Sequence, residues 1–286
     1  VNKDNPELKN QIDSFLDTLS NKEKREMMDE AIERIPATIT SLSDNIFVAA
    51  KQIFEVYSPL FISGIGSTLT LAFSGTILGL LIGLIIGAIR AIKVEERDSL
   101  ISKIVKRIVW FITTVYIEIF RGTPMMVQGA FIYYGLKNIV HWSPFTAGVF
   151  VITINTGAYM AEIIRSGIQA VDKGQSEAAR SIGMNSVQTM LYIVLPQAIK
   201  NSFPAIGNEF VINIKDSSVL NVIAVTELFY QAKSVAGSLY AFVPTYFVVA
   251  LIYLCLTFPT TRILNYIEKR MNRKKAIVFD QEGSVQ

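Results

Sequence analysis

Three polar side chains lie at helical spacing within an otherwise apolar stretch of the chain. Asn155, Tyr159 and Glu162 are four and three residues apart, which places an amide, a phenol and a carboxylate on one helix face. Such a face favours non-covalent binding of a small polar solute. Upstream, Arg121 stands near Pro124, which removes a backbone donor, kinks the helix and breaks a second apolar stretch. Irregular backbone at membrane depth lines a cavity or is buried in protein, so we expect Arg121 to be able to receive a carboxylate there.

The charges in these apolar stretches must be paired or face water, because a charge at mid-bilayer costs on the order of 2.5 to 3.5 kcal/mol. Glu118 and Arg121 are three residues apart, as are Glu162 and Arg165, so each acid can neutralise its base on one helix face. In the alternative interpretation, Arg165 marks the exit from the membrane. Glu162 then lies about one turn deeper without a constant partner and faces a translocation path.

The available charges suit a zwitterionic substrate. Its carboxylate would face Arg121 or Lys215, and its ammonium group would face Glu162 or Asp216. Both signs of charge are present, so acidic, basic and amide side chains all remain compatible. The predicted substrate-binding residues are Arg121, Asn155, Tyr159, Glu162, Lys215 and Asp216.

The composition argues against bond chemistry on this chain. It contains one cysteine and one histidine, which excludes an internal disulfide, a cysteine metal cluster and a serine protease triad. Cys255 stands between two leucines, where we expect a packing role. The phosphate-cradling Gly-x-x-x-x-Gly-Lys-Ser/Thr pattern is absent. We therefore predict no enzyme activity, no catalytic or metal-binding residue, no cofactor on this chain and no nucleic-acid partner.

A polar segment, residues 165–200, separates two very apolar stretches and carries its own helix. Asp172 followed by Gln175 resembles a capping box, so a helix should start near Lys173, and Gly183 is a natural left-handed stop. The helix has about ten residues and is roughly 15 Å long. Because this short helix lies between two apolar stretches, we expect it to project from the membrane, where a partner can bind it.

The remaining chain predicts an all-α, polytopic membrane protein. Hydrophobic residues make up 51% of it and charged residues only 18%. Residues 56–89 carry no charge, and this run is longer than the ~20 residues that cross a bilayer. Further apolar runs predict about five transmembrane helices in all, at residues 56–89, 108–136, 145–164, 201–222 and 242–264.

Lysine and arginine residues predict the orientation. Six lie in residues 90–107, four in 165–200 and six from Arg262 onward, whereas residues 138–146 and 223–243 hold only Lys233. Because basic loops face the cytoplasm, the amino terminus is expected outside the plasma membrane and the carboxyl tail inside. The helix after Asp172 is then cytoplasmic.

The chain is expected to have three parts. Residues 1–59 form a polar, amphipathic extension, with a helical pattern from Ile32 that breaks near Pro36. This segment either lies in the outer membrane interface or docks an extracellular partner. Residues 60–268 form the transmembrane domain, and residues 269–286 form a cytoplasmic tail.

The first predicted span contains glycines at every fourth position, so they share one stripe of a helix. A neighbouring helix can approach that stripe closely. Packing within the subunit is the favoured interpretation and dimerisation is the alternative. The glycines are Gly75, Gly79, Gly83 and Gly87.

Four motifs occur in order along the chain: Phe-Arg-Gly-Thr-Pro at 120–124, Ala-Glu-Ile-Ile-Arg-Ser-Gly-Ile at 161–168, Gly-Gln-x-Glu-Ala-Ala-x3-Gly at 174–183 and Leu-Pro-Gln-Ala at 195–198. With these motifs, residues 60–268 resemble the polar amino acid permease family of ABC importers. The resemblance implies a type I importer permease fold and transport by alternating access. It also implies that the Glu-Ala-Ala helix seats in the ATPase subunit, which gives the predicted coupling residues Glu177, Ala178, Ala179, Arg180 and Gly183.

The same resemblance implies partners that this chain does not contain. They are two cytoplasmic ATPase subunits that carry ATP and Mg²⁺, an extracellular substrate-binding protein, and a second permease subunit that is identical or a close paralogue. The long amino-terminal extension departs from the family pattern. Two other functions remain open: an ion-coupled secondary transporter or channel, which would not need the Glu177 helix, and a membrane scaffold, which would not need the polar face at Glu162.

Overall fold

A computed structural model describes Ser20, residues 42–92 and residues 98–283 of the chain, with side chains described as far as Met271. Regular structure in these residues is helical, which confirms the all-α prediction. The α-helices are α1 (Ile46–Ala91), α2 (Leu100–Gly122), α3 (Met125–Val140), α4 (Pro144–Gln169), α5 (Lys173–Ser181), α6 (Ser186–Gln188), α7 (Leu195–Asp216), α8 (Leu228–Leu239) and α9 (Phe242–Gly283). A π-helical segment, Thr189–Val194, joins α6 to α7, and a 3₁₀ segment, Ser217–Ile223, follows α7.

The chain divides into two units between Ser58 and Pro59. In the first unit, the Asn45 side chain accepts the Phe47 N–H at 2.9 Å and so caps the start of α1. The predicted helical pattern starts at Ile32; its part up to residue 41 lies outside the described residues, and its later part, from Ile46 to Tyr57, is helical in α1. The docking and interface interpretations of residues 1–59 therefore stay predictions.

Three helices in the described part of the chain are long and apolar enough to cross a membrane: Ile46–Ala91, Pro144–Gln169 and Phe242–Met271. They contain three of the five predicted spans. The run at 108–136 is divided between α2 and α3, and the run at 201–222 is divided between α7 and the 3₁₀ segment. The count of five stays a prediction. The break expected at Pro124 is confirmed, because α2 ends at Gly122 and α3 begins at Met125.

The four glycines of α1 pack against α4 within the subunit. A Cβ on Gly79 would lie 2.8 Å from Thr156 Cγ2, and one on Gly83 would lie 2.7 Å from the carbonyl carbon of Met160. Contacts this close leave no room for a side chain. The structure therefore confirms packing within the subunit as the use of the glycine stripe.

A buried polar cluster joins three helices at the level of this contact. Asn213 on α7 donates to Thr76 Oγ1 on α1 at 2.9 Å and accepts from Thr156 Oγ1 on α4 at 3.0 Å. All three side chains are buried. Because a polar group in an apolar interior must be hydrogen-bonded, the cluster fixes the register of α1 and α7 against α4.

A second buried polar group lies where α8 begins. The Glu227 carboxylate has no exposed surface and accepts the backbone N–H groups of Phe229 at 2.8 Å and Tyr230 at 2.7 Å. The Tyr253 hydroxyl on α9 also donates to it, at 3.2 Å. The carboxylate thus caps α8 and attaches it to α9. This role of Glu227 was not predicted, because its partner on α9 is not visible from local spacing.

Candidate functional site

A cavity of about 500 Å³ lies where the carboxyl end of α2 meets α4 and α7. Three predicted substrate-binding residues line it together: Arg121, Tyr159 and Glu162. The other lining residues are Ile163, Ser166, Gly167, Ala170, Asn201, Ser202 and Ala205. A volume of this size is within the range of small-molecule sites, and the mixture of charged, phenolic and hydroxyl groups suits a polar solute.

The α4–α7 crossing forms one wall of the cavity. Gly167 on α4 lies against α7, where an added Cβ would be 2.7 Å from the Ala198 carbonyl oxygen. Ser202 on α7 donates to the Ile163 carbonyl at 3.1 Å. Asn201 and Ser202 line the cavity but were not predicted, because α7 carries no motif that marks its cavity face.

Arg121 lies at the edge of the cavity on the last turn of α2. Its guanidinium carbon is 5.4 Å from the centroid of the Tyr159 ring on α4. Among the described ion pairs none joins Arg121 to Glu118, so the predicted pairing of these two residues is wrong. Stacking on the phenol leaves the hydrogen-bond donors of Arg121 available to a ligand.

Glu162 is held between two arginines. Its Oε2 accepts from Arg165 at 2.8 Å on the same helix, and its Oε1 accepts from Arg90 of α1 at 3.0 Å. The predicted Glu162–Arg165 pair is confirmed, and the alternative of a Glu162 without a constant partner is wrong. Arg90 reaches it because Gly87, one turn earlier, brings α1 against α4. The group has one negative and two positive charges, and of its three members only Glu162 lines the cavity beside Arg121.

The other predicted substrate residues lie elsewhere. Asn155 donates to the Phe120 carbonyl at 3.1 Å and to Gln128 Oε1 at 2.9 Å. Its amide is therefore hydrogen-bonded to residues at the break between α2 and α3. Lys215 and Asp216 are exposed at the carboxyl end of α7 and are not among the residues that line this cavity.

The helix predicted to start at Lys173 is α5, and its predicted start and its stop at Gly183 are confirmed. The Asp172 side chain accepts the Gly174 N–H at 2.6 Å. At the other end Gly183 has φ +90°, its N–H bonds the Arg180 carbonyl at 3.0 Å, and the Met184 N–H bonds the Ala179 carbonyl at 3.1 Å. These two bonds form a Schellman motif, which ends the helix sharply.

The capping box expected at Asp172 and Gln175 forms one element later. There Asn185 Oδ1 accepts the Gln188 N–H at 2.9 Å, and Gln188 Oε1 accepts the Asn185 N–H at 3.0 Å. At α5 neither bond of the box appears among the described hydrogen bonds, because the Asp172 side chain accepts the Gly174 N–H and not the Gln175 N–H.

The predicted coupling residues do not all face the same way. Glu177, Ala178 and Arg180 are exposed, whereas Ala179 is only 4% exposed and faces the interior. Helix α5 contacts the π-helical segment, which contacts α7. Ala179 thus packs inward, while Glu177 and Arg180 present a charged surface. Ile182 adds an apolar group at 79% exposure.

Sequence comparison identifies relatives of known type. Residues 99–273 match the family described as "Binding-protein-dependent transport system inner membrane component". The probable glutamine ABC transporter permease protein GlnM of Bacillus subtilis (strain 168) is 45% identical over 161 residues, which cover 56% of this chain and 74% of that protein. The glutamine transport system permease protein GlnP of Escherichia coli (strain K12) is 36% identical over 216 residues, or 74% of this chain and 93% of that protein.

Solved structures agree with this assignment. The crystal structure of an amino acid ABC transporter with histidines superposes with a TM-score of 0.67 at 39% identity, covering 80% of this chain and 100% of that one. The methionine ABC transporter MetNI in an inward-facing conformation gives a TM-score of 0.61 at 19% identity, covering 74% and 96%, which shows a shared fold. The chain therefore belongs to the inner membrane components of binding-protein-dependent transport systems, as a multi-pass amino acid ABC permease that forms the translocation subunit and not the ATPase.

Proposed function

We propose that this permease moves a polar amino acid through the cavity at Arg121 by alternating access, driven by an ATPase that binds α5. One observation supports this most directly: a cavity with Arg121 and Glu162 in its wall is formed by α4 and α7, and α7 is connected to α5 through the π-helical segment. A force on α5 would move the elements that form the cavity.

The substrate's carboxylate is proposed to bind Arg121, which stacks on Tyr159 and lines the cavity with donors available to a ligand. Its ammonium group is proposed to face Glu162 Oε1, which accepts from Arg90 alone and keeps acceptor capacity, whereas Oε2 accepts two N–H groups of Arg165. Glutamine is the first substrate to test, since it appears in the names of two relatives. Lys215 and Asp216, outside this lining, are proposed to contact the solute elsewhere on its path.

Replacing Arg121 with methionine is expected to lower kcat/KM for ATP-dependent uptake of radiolabelled L-glutamine by about 10- to 100-fold. The reason is the loss of a charge-assisted hydrogen bond, worth about 1.5–3 kcal/mol. Uptake is measured in proteoliposomes that contain the complete importer. The matched control is Arg262→Met, because Arg262 also stacks on an aromatic ring, Phe258 at 4.9 Å, but lies outside the cavity. Equal losses in the two variants would contradict the role of Arg121.

The proposed assembly has two permease subunits, identical or paralogous, two cytoplasmic ATPases that carry ATP and Mg²⁺, and an external binding protein. It follows from the family, whose members belong to binding-protein-dependent systems. The proposed orientation has the amino terminus outside and α5 in the cytoplasm, as the distribution of lysine and arginine favours.

Cysteine labelling tests this orientation. Cys255 is the only cysteine, so Cys255→Ser gives a background without thiols. In that background, Glu177→Cys should react with a membrane-impermeant maleimide in inside-out vesicles and not in intact cells. Tyr240→Cys, at a position 87% exposed between α8 and α9, should show the reverse pattern. Labelling of Glu177→Cys from outside the cell would refute the orientation and the proposed ATPase contact together.

A further inference from the structure

The break between α2 and α3 leaves backbone carbonyls that need donors. The last carbonyls of a helix have no partner within it. Here Pro124 supplies no N–H either. One carbonyl is satisfied locally, because Thr123 Oγ1 donates to the Ile119 carbonyl at 2.7 Å. The carbonyls that remain include those of Phe120 and Thr123.

Side-chain amides from two other helices satisfy these carbonyls. Gln128 Nε2, on α3, lies 3.0 Å from the Phe120 carbonyl, 2.9 Å from the Thr123 carbonyl and 2.9 Å from Thr123 Oγ1. Asn155 Nδ2, on α4, donates to the Phe120 carbonyl at 3.1 Å and to Gln128 Oε1 at 2.9 Å. Gln128 is 6% exposed, so water does not compete for these bonds.

This network fixes the backbone immediately before Arg121. The residue whose carbonyl receives both amides is Phe120, so the direction in which the next side chain leaves the backbone depends on Gln128 and Asn155. Tyr159, on which Arg121 stacks, is one helical turn beyond Asn155 on α4. Helix α4 therefore holds both the backbone and the guanidinium group.

We propose that Gln128, together with Asn155, is a positioning residue for Arg121: it holds the break between α2 and α3 so that the guanidinium enters the cavity wall in its binding orientation. This inference rests on the proposed substrate role of Arg121. It assigns Asn155 to the support of the site, whereas the helix periodicity placed it in direct contact with the solute. Gln128 does not line the cavity and acts through Arg121.

A double-mutant cycle tests the inference. Methionine at position 128 keeps the length of glutamine and removes its donors and acceptor. In the complete importer, Gln128→Met is expected to lower kcat/KM for L-glutamine uptake about tenfold, mainly through KM. In the Arg121→Met background the same change should cost less than twofold, because a mispositioned arginine cannot matter where no arginine is present. Purified variants are also compared by thermal unfolding in detergent.

Each outcome separates this inference from the proposed function. A tenfold loss from Gln128→Met in both backgrounds would mean that Gln128 acts independently of Arg121, and would overturn the inference while the role of Arg121 stands. An Arg121→Met variant with normal uptake would overturn the proposed substrate site and the inference with it. A Gln128→Met variant that only lowers the thermal midpoint, with KM unchanged, would show a purely structural glutamine.

Two further variants complete the experiment. Gln197→Met is the matched control. The side-chain amide of Gln197 also donates to a helix carbonyl, that of Ile193 at 2.9 Å, but Gln197 lies outside the cavity lining and away from the break between α2 and α3. Its KM should equal that of the wild type. If Gln128→Met does not fold, Asn155→Leu removes two of the bonds in the network and leaves three; it should show the same dependence on Arg121 with a smaller effect.

Discussion

The substitution Gly83→Ala is expected to destabilise the folded permease strongly, although alanine is a better helix former than glycine. Its Cβ would lie 2.7 Å from the Met160 carbonyl carbon and 2.9 Å from the Ala161 nitrogen. Both are backbone atoms of α4, so no side-chain rotation can relieve the contact. Overpacking of this kind costs about 1–3 kcal/mol, and separation of α1 from α4 would also strain the Arg90–Glu162 pair next to the cavity.

The control lies on the same helix. Gly66 has nothing within 4 Å of an added Cβ, so Gly66→Ala should gain up to about 1 kcal/mol from helix propensity without any clash. The measurement is the thermal midpoint of each purified variant in detergent, read from size-exclusion profiles after heating. The two variants should shift in opposite directions. Equal midpoints would refute the tight packing of α1 on α4.

Reversing the charge at Glu177 is expected to abolish coupled uptake while the chain remains folded. Glu177 is exposed on α5, where the ATPase is proposed to bind, and a wrong-sign charge in a charged interface costs several kcal/mol. Glu177→Lys should therefore lower L-glutamine uptake by about 100-fold or more. Combining it with Gly183→Asp should deepen the loss, since Gly183 has φ +90°, a conformation that costs other residues about 1–2 kcal/mol.

ATP hydrolysis and uptake are measured together in proteoliposomes. The uncoupled double variant should keep hydrolysis by the ATPase subunits. The thermal midpoint of Glu177→Lys alone should stay close to that of the wild type, because only Gly183→Asp strains the backbone. Gln175→Lys is the matched control, because it places the same side chain at another exposed position of α5. Full coupled uptake in the Glu177→Lys, Gly183→Asp variant would refute the proposed path of force through α5.

The sequence by itself determined the features that depend on neighbouring residues. The bounds of α5 follow from the Asp172 cap and the left-handed Gly183, and the interruption after α2 follows from Pro124. The stripe of glycines on α1 follows from a four-residue repeat. The family motifs also lie within short segments. These signals are local because caps, breaks and helix faces are set by a few consecutive residues.

The tertiary structure decided which side chains meet across helices. Glu162 has a second partner, Arg90, only because α1 packs on α4. Asn155 bonds Gln128 and does not line the cavity, because α3 packs against α4 at this position. The burial of Ala179 depends likewise on the segment that packs beneath α5. Helical periodicity gives the face on which a residue lies but not the helix opposite that face. Contacts between helices are fixed by packing, and packing is a property of the whole bundle.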